Sequence, residues 1–532
     1  MSLGVVQGFL ATVKGRQIPP DEWPDTFGEL TRQYLLLGQR IQEAPVNSSA
    51  IRELVSKANA ARKIGQLELT DKHLAAAEDL ATVEAAKQQE KATASLREAA
   101  GFAAARASVA FSRLERSKGA QLLEKAFDIL RRHPSPETIW WLFQAGDAWL
   151  VQGRTDEALK RYAKARNTAV ELANSSLANA EWQRILSFIL LKVGDAQQAQ
   201  GKLDLARQSY EDGITILNKL AKSEPGDITR QRDLFHFLLR VGGVQLAQEE
   251  FDASLSSYQA AMEICQQQTN ASSSDAEWQL ELVNSHGHIG DVHLARGSAT
   301  AALESYRAGM DILRRKGNDV SGNAKWLRAL AIRYDAIGNA QQAQDDFAAA
   351  TESYRAANEI FEKLARASAR NIDAQRDLAL SLVRIGDLLV AQEDLSAALR
   401  SYQAALPIRQ ALANADPANS RWQHELANCY ETIGDVQESL WDQGAALMSY
   451  QAVIAIREKL ASVDPSNPHW QLQVALAHWK AYIVTPSSEV DESRRLLARG
   501  VTVLETMQAK GLLLASVSEW MGKFAGALAN LK

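Results

Sequence analysis

The stretch IGDLLVAQEDLSAALRSYQAAL, residues 385–406, sets a Gly-Asp pair (Gly386-Asp387) fifteen residues ahead of a Ser-Tyr pair (Ser401-Tyr402). The arrangement returns with Gly434-Asp435 and Ser449-Tyr450, and with Gly290-Asp291 and Ser305-Tyr306. A catalytic motif is normally written once; a motif written many times is architecture. Working outward, the glycine recurs at Gly146, Gly194, Gly242, Gly290, Gly338, Gly386 and Gly434, always 48 residues apart. The tyrosine keeps the same period at Tyr162, Tyr210, Tyr258, Tyr306, Tyr354, Tyr402 and Tyr450. Twelve residues ahead of the glycine stands a tryptophan, at Trp182, Trp278, Trp326, Trp422 and Trp470, with Arg230 and Ala374 interrupting the series. Seven registers without an insertion or deletion mark a repeat array.

Each unit reads as two helices. Leu378, Leu382, Ile385 and Leu389 share one face of a first helix, and Leu395, Leu399, Tyr402 and Leu406 repeat that spacing in a second. A short polar turn such as AQED or VQGR lies between them. Proline stops the second helix near Pro225, Pro417 and Pro465. Pro407 falls inside a second helix and should kink it. A 48-residue unit less two short turns leaves about 20 residues, or roughly 30 Å, per helix. The glycine should let the two helices of a pair approach closely, with the tyrosine filling the wider gap beside it. The tryptophan should pack on the end of the preceding unit's second helix.

Composition agrees with helix throughout. Among 532 residues, 12 prolines and 30 glycines are too few for a loop-rich β protein. The net charge of −5 and the lack of a basic stripe argue against a nucleic-acid partner. Two cysteines, Cys265 and Cys429, without a CxxC make neither a disulfide framework nor a zinc site, and they fit a cytoplasmic setting. No apolar run reaches the length of a membrane span, and the N-terminal stretch lacks the basic start and cleavage site of a signal peptide.

The spacing inside the unit resembles the tetratricopeptide repeat (TPR) family, in a long 48-residue form of bacterial type. Gly146 is followed by Gly153, Ala158, Tyr162 and Ala165; Gly194 by Gly201, Ala206, Tyr210 and Gly213; Gly386 by Ala398, Tyr402 and Ala405. The match covers about residues 134–480. Two departures stand out: 14 residues beyond the usual 34, and the loss of the turn glycine at Glu249, Asp345, Glu393 and Trp441. The resemblance implies an all-α, right-handed α-solenoid of antiparallel helix pairs. Residues 1–133 form an irregular helical N-terminal cap region with degenerate pairs, residues 134–483 the solenoid of seven units and the start of an eighth, and residues 484–532 capping helices. Helical patterns in the first region cover 27–43, 51–64, 70–89 and 94–132. Ser488 with Asp491 resembles a capping box opening a helix near the C-terminus.

Chemistry is sparse. Of His286, His288, Asp291 and His293, His286 and His293 lie on the same helix side but two turns apart, too far for one metal without a further ligand, and His286 and His288 point about 200° apart. Cys429 and His424, five apart, do not share a face. There is no P-loop, no GxSxG and no HExxH. These observations predict no catalytic site, no metal and no cofactor.

The residue after the repeat glycine remains: Asp147, Asp195, Gly243, Asp291, Asn339, Asp387 and Asp435. In TPR proteins this position faces the concave groove and often grips a peptide. By resemblance the residues form a ladder, with Asn284, Asn428, Lys192, Arg240 and Arg384 as groove neighbours. Ionised Asp only accepts hydrogen bonds, so the ladder should favour amides, Lys or Arg. The same regularity suits a purely architectural bond between helices, and both readings stand on the sequence. The function expected is a non-enzymatic protein-protein interaction scaffold that binds a protein or extended peptide, with a basic segment favoured. The alternative is a sensor or regulatory subunit of a bacterial signalling or defence system, acting with a separately encoded effector enzyme.

Overall fold

The structure, a computed structural model, describes residues 5–7, 10, 23–44, 48–85, 89–113, 115–175, 180–223, 227–271, 275–315, 323–367, 371–465, 467–512 and 515–531. Pro225 and residues 19–22 lie outside them. Among the described residues the chain is all-α. Two compact units divide it, Met1–Ala196 and Gln197–Lys532.

The first unit holds α1 (Trp23–Glu43), α2 (Ser49–Lys63), α3 (Leu67–Ala85), α4 (Gln89–Ser112), α5 (Arg116–Ile129), α6 (Pro136–Val151), α7 (Thr155–Ser175) and most of α8 (Ala180–Ala199). The run from 94 to 132 is therefore two helices, which pack together as a pair. Leu123, Phe127, Leu142, Phe143 and Tyr162 are buried in one core of this unit. Leu30, Leu37, Leu74 and Phe102 are buried in another.

The second unit continues with α9 (Leu203–Ser223), α10 (Ile228–Ala247), α11 (Phe251–Ala271), α12 (Ala276–Ala295), α13 (Ala299–Arg315), α14 (Ala324–Gln342), α15 (Phe347–Ala367) and α16 (Ile372–Ala391). Then come α17 (Leu395–Ala415), α18 (Ser420–Ser439), α19 (Gln443–Val463), α20 (Pro468–Val484), α21 (Val490–Ala509) and α22 (Ala515–Asn530). Within this unit each helix packs on the next, a TPR-like stack of helix pairs. First helices start at residues 228, 276, 324, 372, 420 and 468, one every 48 residues.

Caps repeat with the same period. Asp227, Asp275, Asn323, Asn371, Asn419 and Asn467 each accept a backbone N–H in the first turn of the helix they open. Asp346, Asp394 and Asp442 do the same for second helices. The turn inside each pair also keeps one geometry. Gly153, Gly201 and Gly297 have positive φ, and so do Glu249, Asp345, Glu393 and Trp441, at 60° to 63°. The glycine is lost from the sequence in four units, but its left-handed conformation is not.

Each pair is locked to the one before it by the start of its first helix. Trp278 packs with Ala261, Ile264 and Cys265 of α11, and Trp326 with Leu313 of α13. Where Arg230 replaces the tryptophan, its buried guanidinium donates to the Leu220 carbonyl at 2.6 Å. Gln423 and Gln471 donate to the Ala413 and Ala461 carbonyls at 2.9 and 3.0 Å, satisfying ends of second helices. α17 runs through Pro407 as one helix.

Two details at the C-terminal end differ from the sequence reading. The cap of α21 is Glu489, without a side-chain cap bond, so Ser488 and Asp491 do not form the expected box. The turn is closed instead by the Glu489 amide donating to the Pro486 carbonyl at 2.8 Å. The glycine–aromatic contact also reappears outside the strict register, Gly500 lying against the buried ring of Phe524.

Candidate functional site

The site is built from glycine upward. A Cβ added at Gly146, Gly242, Gly290, Gly338, Gly386 or Gly434 would lie 2.3 to 2.8 Å from a ring carbon of the tyrosine sixteen residues on. The ring thus covers the glycine itself rather than filling space beside it. Its hydroxyl emerges beside the residue after the glycine. Tyr162 donates to Asp147 Oδ1 at 2.6 Å. Tyr306, Tyr354, Tyr402 and Tyr450 donate to Asp291, Asn339, Asp387 and Asp435 at 2.7 Å. The preceding serine completes the motif in several units, Ser257, Ser353 and Ser449 each donating to a first-helix glutamine at 2.7 Å.

Burial, and then the adjacent carboxylate, pushes Tyr162, Tyr306, Tyr402 and Tyr450 far above the ordinary phenol range. They stay protonated donors, and each acid is held in one orientation. Burial also raises Asp387, against the Tyr402 hydrogen bond and the charge of Arg384.

Two rungs of the ladder are closed from the neighbouring pair. Lys192 meets Asp147 at 3.0 Å, and Lys480 meets both oxygens of Asp435 at 2.7 and 2.8 Å. Both lysines stand 45 residues after their acid. At the same register Asp291 is followed by Ala336 and Asp387 by Thr432, which carry no charge. Where the ladder has Gly243, the register holds His288, whose ring stacks on Tyr258 at 5.0 Å.

The remaining expected residues are spread along the same helices. Asp195 adds its charge to the field at Tyr162, and Arg240 to the field at Tyr258. Asn284 donates to Glu281 at 3.4 Å and lines a cavity of about 370 Å³ with Arg232, His236, Trp278 and Ile332. Asn428 is occupied by His424 at 3.1 Å and Arg457 at 3.4 Å. Arg384 keeps a buried Nε without a hydrogen-bond partner. In the first unit Asp147 lines a cavity of about 220 Å³ with Arg40 and Gln144.

Sequence reasoning missed the tyrosine–acid bond, although the fixed fifteen-residue offset was its signal. It also missed Arg333 and Asp335, which no repeat announces. Burial pushes Asp335 up to about 6 against the opposing charges of Arg384 and Arg333. Arg328 meanwhile pairs with Asp377, and Arg376 with Glu425 at 2.7 Å, tying successive first helices together.

Cys265 and Cys429 are buried, and burial raises their thiols to about 12 and about 11. Among the described residues no three His, Cys, Asp or Glu side chains are placed to hold a metal ion, and no helix is long and apolar enough to cross a membrane.

No protein-family model matches the chain, and no curated protein sequence matches it. Solved structures resemble it at low identity. Aspartyl phosphate phosphatase F from Bacillus subtilis aligns at 11% identity over 75% of this chain and 96% of its own, with a TM-score of 0.42. A Rap protein complexed with competence and sporulation factor aligns at 12% identity over 78% of this chain and 99% of its own, with a TM-score of 0.40. A tetratricopeptide repeat protein from Parabacteroides merdae aligns at 13% identity over 64% of this chain and 99% of its own, with a TM-score of 0.33.

Proposed function

We propose that the chain is a non-enzymatic interaction scaffold, a 48-residue-period TPR-like array whose first-helix face binds a protein segment or extended peptide bearing basic side chains. One observation carries this reading. Each tyrosine-held acid spends one oxygen on the phenol, and two of the acids already hold a lysine ammonium, Asp147 with Lys192 and Asp435 with Lys480. The ladder is thus a set of preoriented acceptors, and Asp387, with Thr432 at that register, has no lysine to close it. A lysine or arginine of a bound segment would take that place. Buried free thiols suit a reducing, cytoplasmic setting.

The test is selection from a random dodecapeptide phage library on the folded chain, against the variant Asp387→Ala. Circular dichroism first establishes that both are helical. Wild type should enrich Lys- and Arg-containing peptides whose binding weakens with salt, and the variant should lose that enrichment. Equal enrichment by both would leave the ladder a purely architectural device.

A further inference from the structure

Arg333 breaks the repeat. The positions 48 residues before and after it are Ser285 and Ser381, and the same register holds Phe237 and Cys429 farther along. It is 7% exposed, yet Nε and Nη1 are shut away from solvent with no hydrogen-bond partner. The side chain fits because two glycines make room. A Cβ on Gly287 would fall 1.7 Å from Nη1, and one on Gly309 would lie 3.6 Å from Cδ. The guanidinium stands 5.9 Å from the centre of the Tyr306 ring.

A buried cation without a bonded counter-ion is costly. Asp291 supplies the strongest opposing charge, but among the described residues no ion pair joins the two. Asp291 gives Oδ1 to Tyr306, and its Oδ2 has His288 Nδ1 at 3.9 Å, beyond hydrogen-bond range. The seam between α12 and α14 thus brings Arg333 and Asp291 to the same tyrosine, Tyr306, where no described residue hydrogen-bonds Nη2 or Oδ2, and Asp335 is a second charge opposing Arg333.

We infer that this seam reads a neutral amide of a bound peptide, its oxygen accepting from Arg333 Nη2 and its N–H donating to Asp291 Oδ2. The inference rests on the peptide-binding reading above and adds a second chemistry to it. An acidic ligand group would meet the Asp291 carboxylate, and a basic one would meet Arg333. An amide satisfies both walls. It comes either from the peptide main chain or from an Asn or Gln side chain.

The test uses the full chain, the same random dodecapeptide phage library and Arg333→Met. The best-enriched wild-type peptide, made synthetically, should bind the variant at least tenfold more weakly. The variant should also unfold about 2 °C higher, because an unpaired buried charge has gone. A fixed Asn or Gln in the enriched set assigns a side-chain amide. Its absence, with binding lost on N-methylation at one position, assigns the main chain. Unchanged affinity overturns the inference while leaving the peptide-binding reading intact. So does a lower unfolding temperature, which would make Arg333 part of the fold, or a fixed Asp or Glu that depends on Arg333. Failure of wild type to enrich any peptide overturns both. Arg333→Lys keeps the charge but not the planar fork, and serves with the same tenfold expectation if the methionine variant does not fold.

Discussion

Tyr402 donates to Asp387 Oδ1 at 2.7 Å while its ring lies over Gly386, so one side chain closes the helix pair and orients the acid beside it. Gly386→Ala would put a methyl 2.5 Å from ring carbon Cε1 of a side chain that is 3% exposed. The ring cannot yield without opening the pair, so a loss of about 1–3 kcal/mol is expected. Gly522→Ala is the control. Nothing lies within 4 Å of its added Cβ, and alanine should gain about 0.5–1 kcal/mol there. Tyr402→Phe keeps the ring and should lose about 0.5–1.5 kcal/mol. Urea unfolding of the three variants ranks them; a neutral Gly386→Ala would mean the contact is softer than its geometry.

The four left-handed turns without glycine give a prediction of opposite sign. Glu393 at φ 62° and Glu249 at φ 61° hold a conformation that costs a non-glycine residue about 1–2 kcal/mol. Glu393→Gly should therefore stabilise the chain, by about 1 kcal/mol or less once the greater freedom of glycine in the unfolded chain is counted. Thermal unfolding of Glu393→Gly beside Gly297→Glu, which imposes the same cost elsewhere, should move in opposite directions. A shift of equal sign would show that the turn, not the residue, sets the energy.

The repeat made the fold legible. Gly386 and Tyr402 occupy offsets kept over seven units and Trp278 one kept with two interruptions, and such offsets fix helix length, pairing and packing side. What stayed hidden was whatever the period does not carry. Glu393 reads as a polar turn residue, and only the backbone shows it doing glycine's work. Arg230 reads as a gap in the tryptophan series, yet it bonds the carbonyl at the end of the preceding helix. Arg333 reads as one more charge on a helix, because Gly287 makes its notch from a different unit. The candidate site was legible as a ladder of acids. The tyrosine bonds that orient it, and the lysines that close two of its rungs, depend on which helices touch.

Asp335 predicts a pH dependence. Burial raises its pKa to about 6, above the ordinary carboxylate value, so the folded chain binds this proton more tightly than the unfolded chain does. The stability it contributes is full below the unfolded value near 4 and is lost as pH rises through about 6. Asp335→Asn removes the term. Relative to wild type the variant should gain on the order of 2 kcal/mol at pH 7.5, and the difference should shrink towards zero at pH 4. Paired thermal melts across that range decide it; a constant difference would mean that Asp335 does not titrate there.

The lysine that closes a rung can be moved. Lys480 holds Asp435, and Thr432 occupies the same register one unit earlier, beyond Asp387. Thr432→Lys should bring an ammonium to Asp387 and fill the place proposed for a peptide cation. Half-exposed pairs add little, so stability should rise by no more than about 1 kcal/mol. Binding of basic peptides enriched by wild type should weaken clearly, and the loss should shrink at high salt as the wild-type interaction fades too. Lys480→Met is the complement: it opens the Asp435 rung, and basic peptides should bind the same or more tightly. If Thr432→Lys leaves peptide affinity unchanged while the lysine does pair with Asp387, cations are not read at that rung. The acids would then serve the helix pair alone.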